Sequence, residues 1–310
     1  MRRSVQLQEP EKADPTAACF VAPEPSALGA LPARLARFVT VIGRFLRRPG
    51  NALAVLVVAM TLAWTFFPGL FTSQNPINGN IAVALHGPSM AHLFGTDELG
   101  RDVFTRVVYG TRVSVSSAAL AVVIGFGVGG LAGLVAGFAG GWVDDVIMRF
   151  MDVMLAIPGL LLAMAIITAW GAGVVNLAFA VGLAGVATVA RTMRSEVVKI
   201  RNADYVDAAR SVGTRWPTIL FRHVFPNSWA PVLMLTVLQL GYAILTIASL
   251  SYLGFGASPP APEWGSIVSD GSNYLATAWW ITTLPGLVII ALVVSVNHLA
   301  RGRGRLVGAR

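Results

Sequence analysis

The chain has 310 residues, of which 55% are hydrophobic and only 12% charged, with a formal net charge of +8 at pH 7 and a mean hydropathy of +0.69. Soluble globular chains carry about a quarter charged residues, so an ordinary soluble protein is excluded. Five stretches of eighteen or more uncharged residues can be read directly, each long enough to cross a bilayer, and the chain reads as an all-α polytopic membrane protein.

Residues 1–33 contain Pro10, Pro15, Pro23, Pro25 and Pro32 without an apolar period and read as a disordered cytoplasmic tail. The single cysteine, Cys19, excludes an internal disulfide, and Glu11, Lys12, Asp14 and Pro15 stand where a lipoprotein signal needs an apolar run. Over residues 34–49 a helical projection sets Leu35, Phe38, Val39, Ile42, Phe45 and Leu46 opposite Arg34, Arg37, Arg44, Arg47 and Arg48. This predicts an amphipathic helix lying in the membrane interface, its arginines among anionic lipid head groups.

Residues 50–310 are expected to form the transmembrane domain. The first span runs from about Ala52 to Phe71, and a polar segment follows to Arg112. The second, from about Val113, carries Gly125, Gly129, Gly133 and Gly137 at four-residue spacing. That spacing puts the glycines on one face, where a neighbouring backbone can approach closely, either within the chain or from a partner. The third span covers about Val153 to Trp170 with a kink at Pro158, and the fourth about Val174 to Ala190. After a polar stretch the fifth covers about Ala230 to Leu253. A proline-rich loop through Pro262, Glu263 and Trp264 leads to the sixth, about Trp279 to Leu299.

Six spans put both termini on one side. That side collects twenty of the 23 lysines and arginines, and the other only Arg101, Arg106 and Arg112, which places both termini in the cytoplasm. The basic balance therefore reports orientation and implies no nucleic acid.

Apart from His298 at the end of the sixth, the spans hold no ionisable Asp, Glu, Lys, Arg or His, which disfavours an ion-coupled carrier or channel. Gln239, Tyr242, Thr168 and Asn176 are the strongest polar groups left, and they read as hydrogen bonds between helices ahead of substrate contacts. A P-loop needs a Gly-Lys pair, and Lys12 and Lys199 each lack a preceding glycine. If ATP drives this chain, another subunit hydrolyses it. No convergent nucleophile, acid and metal set marks a membrane enzyme, and the loop histidines His86 and His92 are too few for a metal site.

Within residues 202–227, Asp204 is expected to cap a short helix with Asp207 three residues on, and Gly213 to end it at a position needing positive φ. Tyr205, Ala208, Ala209 and Val212 share one face. That face suits either a connector packed on its own bundle or insertion into a partner's groove.

Asp207-Ala208-Ala209, three residues, Gly213, nine residues, then His223-Val224-Phe225-Pro226 resembles the EAA motif of permease subunits in ABC-type importers, with Asp, His and Phe in place of the usual Glu, Ile and Leu. His92 to Arg106, and Leu253-Gly254-Phe255-Gly256 with Pro259 to Gly265, are similar to segments of the DppC/OppC class of dipeptide, oligopeptide and nickel permeases. The resemblance covers roughly residues 44–299. It implies six transmembrane helices of the type I ABC importer permease kind in a prokaryotic plasma membrane, forming half of a pathway for peptides or peptide-like substrates, with a nickel or nickel-chelate importer as the alternative. It implies a DppB/OppB-like second permease, two ATP-binding domains that hold ATP and Mg, and an extracytoplasmic binding protein. The chain itself would be no enzyme and hold no cofactor or metal. By analogy Asp207, Ala208, Ala209 and Gly213, flanked by Tyr205 and Arg210, would contact the ATPase subunit. Asp97, Arg101, Asp102, Glu263 and Trp264 are candidate outer-side contacts, with an interfacial brace or a rigid cap as the competing roles. The stretch Thr96 to Arg112 reads as helical, with Glu98/Asp102 and Arg101/Arg106 able to pair at i, i+4.

Overall fold

The computed structural model describes residues 49–307, with side chains described as far as Arg301. The expected tail over residues 1–33 and nearly all of the expected interfacial helix lie outside the described residues.

Among the described residues the fold is helical, with one isolated antiparallel bridge between Thr96 and Asp102. Helix α1 (Pro49–Phe66) is followed by a loop with two single 3-10 turns. Helix α2 (Val103–Ala139) begins at Asp102, whose carboxylate accepts the Thr105 N–H at 2.7 Å, and ends at Gly140 with φ +69°. The helical register therefore does not start at Thr96, as the charge spacing suggested. It starts after Asp102 and runs unbroken into the second span, because the preceding residues are folded into a turn by their own side chains.

Helices α3 (Gly141–Ala156) and α4 (Gly159–Trp170) meet at 94°. The expected kink at Pro158 is a corner: proline lacks the N–H that would continue the ladder and drives Ile157 to an extended ψ of 127°. At 12 residues α4 spans about 18 Å, short of a bilayer core on its own, so the third span is this bent pair. Helix α5 (Val174–Arg201) continues eleven residues past the expected end at Ala190. Helices α6 (Asp204–Ser211), α7 (Trp216–Ile219) and α8 (Phe225–Leu250) follow. A π turn over Leu220–Val224 joins α7 to α8, and a second over Ser251–Phe255 is broken within by Gly254, φ +91°. A short helix absent from the sequence reading, α9 (Trp264–Ser272), precedes α10 (Trp280–Val307). Among the described residues five helical runs are long and apolar enough to cross a membrane, and the α3–α4 pair makes a sixth.

The most extensive packing joins α2 to α5, and the glycine face is where it happens. A Cβ on Gly129 would fall 2.5 Å from the Val186 carbonyl oxygen and one on Gly137 2.9 Å from that of Arg194. On Gly133 it would collide with the Ala190 carbonyl, and on Gly125 it would stand 3.2 Å from the Gly182 carbonyl oxygen. The glycine contact thus lies within the chain: backbone meets backbone. At one end of this pair, Leu134, Val189, Met193, Val197 and Ile200 close a buried cluster with Val206, Ile219 and Val224.

Candidate functional site

Helix α6 sits at that end of the α2–α5 pair. Its N-cap is Ala203, one residue earlier than expected, and no side chain caps it. Asp204 and Asp207 instead occupy the first turn, where a negative charge is favoured by the helix dipole. The other end follows expectation: Gly213 has φ +78°, its N–H bonds to the Arg210 carbonyl at 2.9 Å, and Thr214 N–H reaches the Ala209 carbonyl at 3.1 Å. That is a Schellman closure, which a left-handed glycine makes without strain.

Only Val206 of α6 is fully buried, and it anchors the helix in the cluster with Val197 and Ile200. Tyr205, Asp207, Ala208 and Arg210 are exposed, Val212 is 82% exposed, and Ala209 is half-buried. The face with paired alanines therefore points away from the bundle. Arg210 pairs with Asp207 at 3.2 Å, and the Tyr205 ring lies 6.3 Å from that of His223.

Three arginines of α5 fasten this end. Arg194 makes a bidentate pair with Asp144 of α3, its shortest contact 2.6 Å, and Arg191 pairs with Asp152 at 2.5 Å. Arg201 donates to the backbone carbonyls of Gly137 and Phe138 at the end of α2. Sequence reasoning missed these links. The available signal was the basic run on one side of a helix whose length was underestimated.

At the far end of α2 the five candidate contact residues are folded inward. Asp97, Arg101, Asp102, Glu263 and Trp264 are all buried, so within this chain they serve as internal ties, because each polar group finds a partner there. Asp97 accepts from Arg101 Nε and from Arg106, each at 2.7 Å, and Arg101 reaches Glu98 at 3.0 Å. The expected i, i+4 pairs are replaced by this three-centre arrangement, while Asp102 caps α2 and meets His92 Nδ1 at 2.9 Å. The Trp264 indole donates to the Val107 carbonyl at 3.0 Å, and its backbone N–H to Ser114 Oγ at 3.1 Å. Glu263 accepts from Ser251 Oγ at 2.5 Å and from Ala257 N–H at 3.0 Å. Burial nevertheless pushes its carboxyl above the ordinary range, against those two hydrogen bonds. Burial likewise raises Asp270, opposed by the Arg106 guanidinium 3.6 Å away. Among the described residues no group of three His, Cys, Asp or Glu is placed to hold a metal ion.

Of the polar groups of the spans, Asn176 joins two helices as expected and the other three do not. Thr168 donates to Met164 in its own helix, and Asn176 reaches back to the Trp170 and Gly171 carbonyls, closing the end of α4. Gln239 and Tyr242 make no hydrogen bond among the described residues.

A bent-pair membrane bundle with a short helix held out from one end has clear relatives. The family model described as binding-protein-dependent transport system inner membrane component matches residues 129–305. The dipeptide transport system permease protein DppC of Alkalihalophilus pseudofirmus is 38% identical over 255 residues, 81% of this chain and 84% of the relative. The glutathione transport system permease protein GsiD of Pectobacterium atrosepticum is 37% identical over 260 residues, 84% and 86% of the two chains. The crystal structure of an amino acid ABC transporter with histidines matches at a TM-score of 0.52 and 16% identity, over 65% of this chain and 94% of that one, a likeness of fold alone. The chain belongs to the binding-protein-dependent transport system inner membrane component family, as a permease of the DppC/OppC class and a multi-pass membrane protein.

Proposed function

We propose that this chain is one of two permease subunits of an ATP-driven importer for peptides or peptide-like substrates, with α6 as its coupling helix. The carrying observation is the outward alanine face of α6, fixed from behind by Val206 and closed by Gly213. A helix built to cover its own core would bury that face. Relatives named for dipeptides and for glutathione support the peptide class. In this reading a DppB/OppB-like second permease completes the pathway, an extracytoplasmic binding protein delivers substrate, and both termini lie in the cytoplasm of a prokaryotic cell. Two ATP-binding domains hold ATP and Mg and do the hydrolysis, so this chain is not itself an enzyme. Tyr205, Asp207, Ala208, Ala209, Arg210 and Gly213 form the contact with one of those domains.

Ala208→Glu places a carboxylate on the exposed face without touching the core. The expected result is peptide uptake below a tenth of wild type in proteoliposomes of the complete complex, with loss of the ATPase stimulation given by loaded binding protein. Gly213→Pro, which cannot adopt φ +78°, is expected to do the same. Normal uptake by a well-inserted Ala208→Glu complex would overturn the assignment.

A further inference from the structure

Near the middle of α8 two polar side chains lack what their neighbours have. The hydroxyls of Thr61, Thr168, Thr236, Thr246 and Ser249 each donate to the carbonyl four residues back, at 2.7 to 2.9 Å, and need nothing from outside their own helix. The carboxamide of Gln239 and the phenol of Tyr242 meet no hydrogen-bond partner among the described residues, although Gln239 is only half-buried and Tyr242 is 50% exposed. Gln239 stands about 21 Å along the helix from Phe225 and about 16 Å from Leu250, at the depth where hydrocarbon is the poorest partner for a polar group. Three residues apart, the two share one face. They border a shallow groove whose wall includes Gly125, Gly182 and Gly185; of the three only Gly185 has open space where a Cβ would stand, while Gly125 and Gly182 sit in the close α2–α5 backbone contact. The Tyr242 hydroxyl also lies against Gly159, directly after the α3–α4 corner, 3.1 Å from where a Cβ would stand.

We propose that Gln239 and Tyr242 form a neutral hydrogen-bonding station for the backbone amides of a peptide in transit. The inference rests on the peptide-permease reading above and names residues within it. A carboxamide offers two donors and an acceptor, and a phenol one of each, which complements the N–H and C=O groups of a peptide. Helix α8 carries no Asp, Glu, Lys or Arg. Neither the ammonium nor the carboxylate of a zwitterionic peptide is trapped there, and a pathway site must release what it binds. The helical run Trp216–Phe255 joins α8 to the segment just after α6. Displacement at the coupling surface therefore reaches both residues along one element.

The test uses the complete complex in proteoliposomes at saturating loaded binding protein, with a tripeptide and the same tripeptide N-methylated at its peptide nitrogens. A wild-type complex that moves neither with ATP overturns the peptide-permease reading itself. With wild-type uptake established, Gln239→Leu combined with Tyr242→Phe is expected to slow the unmethylated peptide about tenfold, the worth of roughly one hydrogen bond. Uptake of the methylated peptide should change little, and stimulated ATP hydrolysis should persist. Unchanged uptake of both peptides overturns the station and assigns the groups to lipid. An equal loss for both overturns it and assigns them to packing against the second permease. If the double variant does not assemble, Tyr242→Phe alone, which removes a single oxygen, carries the same comparison.

Discussion

Arg201, the last residue of α5, donates from its guanidinium to the carbonyl oxygen of Phe138 at 3.0 Å and to that of Gly137 at 3.2 Å. Those carbonyls belong to the last turn of α2, which has no intrahelical donors left and favours a cation. Gly140 leaves the room, since a Cβ there would lie 2.9 Å from the guanidinium. The end of α5 is thus tied to α2 three residues before α6 begins. Arg201→Met keeps the stem and removes the donors. The expected outcome is a destabilisation of about 1 to 2 kcal/mol and a several-fold drop in uptake per ATP hydrolysed, while the ATP-binding subunits still co-purify. An unchanged ratio of peptide moved to ATP consumed would show that this tie carries no motion.

The glycine face gives a prediction with an internal control. Gly133→Ala drives a methyl into the Ala190 carbonyl, so α2 and α5 must separate, at a cost of about 1 to 3 kcal/mol. Gly127→Ala, on the same helix but with open space around it, should be neutral or stabilise by up to about 1 kcal/mol through helix propensity. Thermal loss of the monodisperse peak in detergent measures both. Equal midpoints for the two variants would mean that the close approach is not limiting.

Asp144 and Arg194 join α3 to α5 across fifty residues of chain. The arginine side chain is 40% exposed, and screening therefore holds the pair's worth to about 1 kcal/mol. A double-mutant cycle with Asp144→Asn and Arg194→Gln should return a coupling energy of that size, falling with added salt. A cycle that closes at zero would leave α3 held on α5 by the packing of Met151 and the Arg191–Asp152 pair.

Glu263 predicts a pH dependence. Its folded pKa is raised by burial, so between the ordinary carboxylate pKa and the raised value the folded state binds more protons than the unfolded one. Stability contributed by this group is fullest below the ordinary pKa and declines as pH rises through the raised one. Asp270, raised by the same cause, adds a slope of the same sign. Glu263→Gln should therefore flatten the decline toward neutral pH without abolishing it, and raise the unfolding midpoint at pH 7. The amide oxygen can still accept from Ala257 N–H. A steeper decline in the variant would mean that the carboxylate is charged and satisfied in the fold.

What could be read from residues alone was what depends on a local geometric necessity. Glycine at every fourth position means a backbone contact whatever surrounds it, and only a residue tolerant of φ +78° closes α6 at Gly213. Pro158 was legible as an interruption but not as a 94° corner, because α3 packs on α5 through residues far apart in the chain, Met151 buried with Val186, Ala187 and Ala190 and Asp144 paired with Arg194. The charges around Asp97 read as part of a helix from Thr96 to Arg112 with pairs at i, i+4. Instead Arg106 reaches back nine residues to Asp97 and His92 ten residues forward to Asp102, distances that no helical period reports. Helix α9 was hidden for a related reason: Trp264 is held by Val107 and Ser114, residues far from it in the chain.

The uninterrupted length of α2 has a mechanical meaning. Its 37 residues make a rod of about 55 Å, gripped at its first turn by the Asp97–Arg106 cluster and at its last by Arg201. The glycine contact with α5 lies along its second half, from Gly125 to Gly137. A tilt of 10° about the rod's midpoint would swing each tip by about 5 Å in opposite directions. Delivery of substrate at one tip and nucleotide-driven closure at the other would then be two loads on a single lever, with no relay of separate contacts required between them.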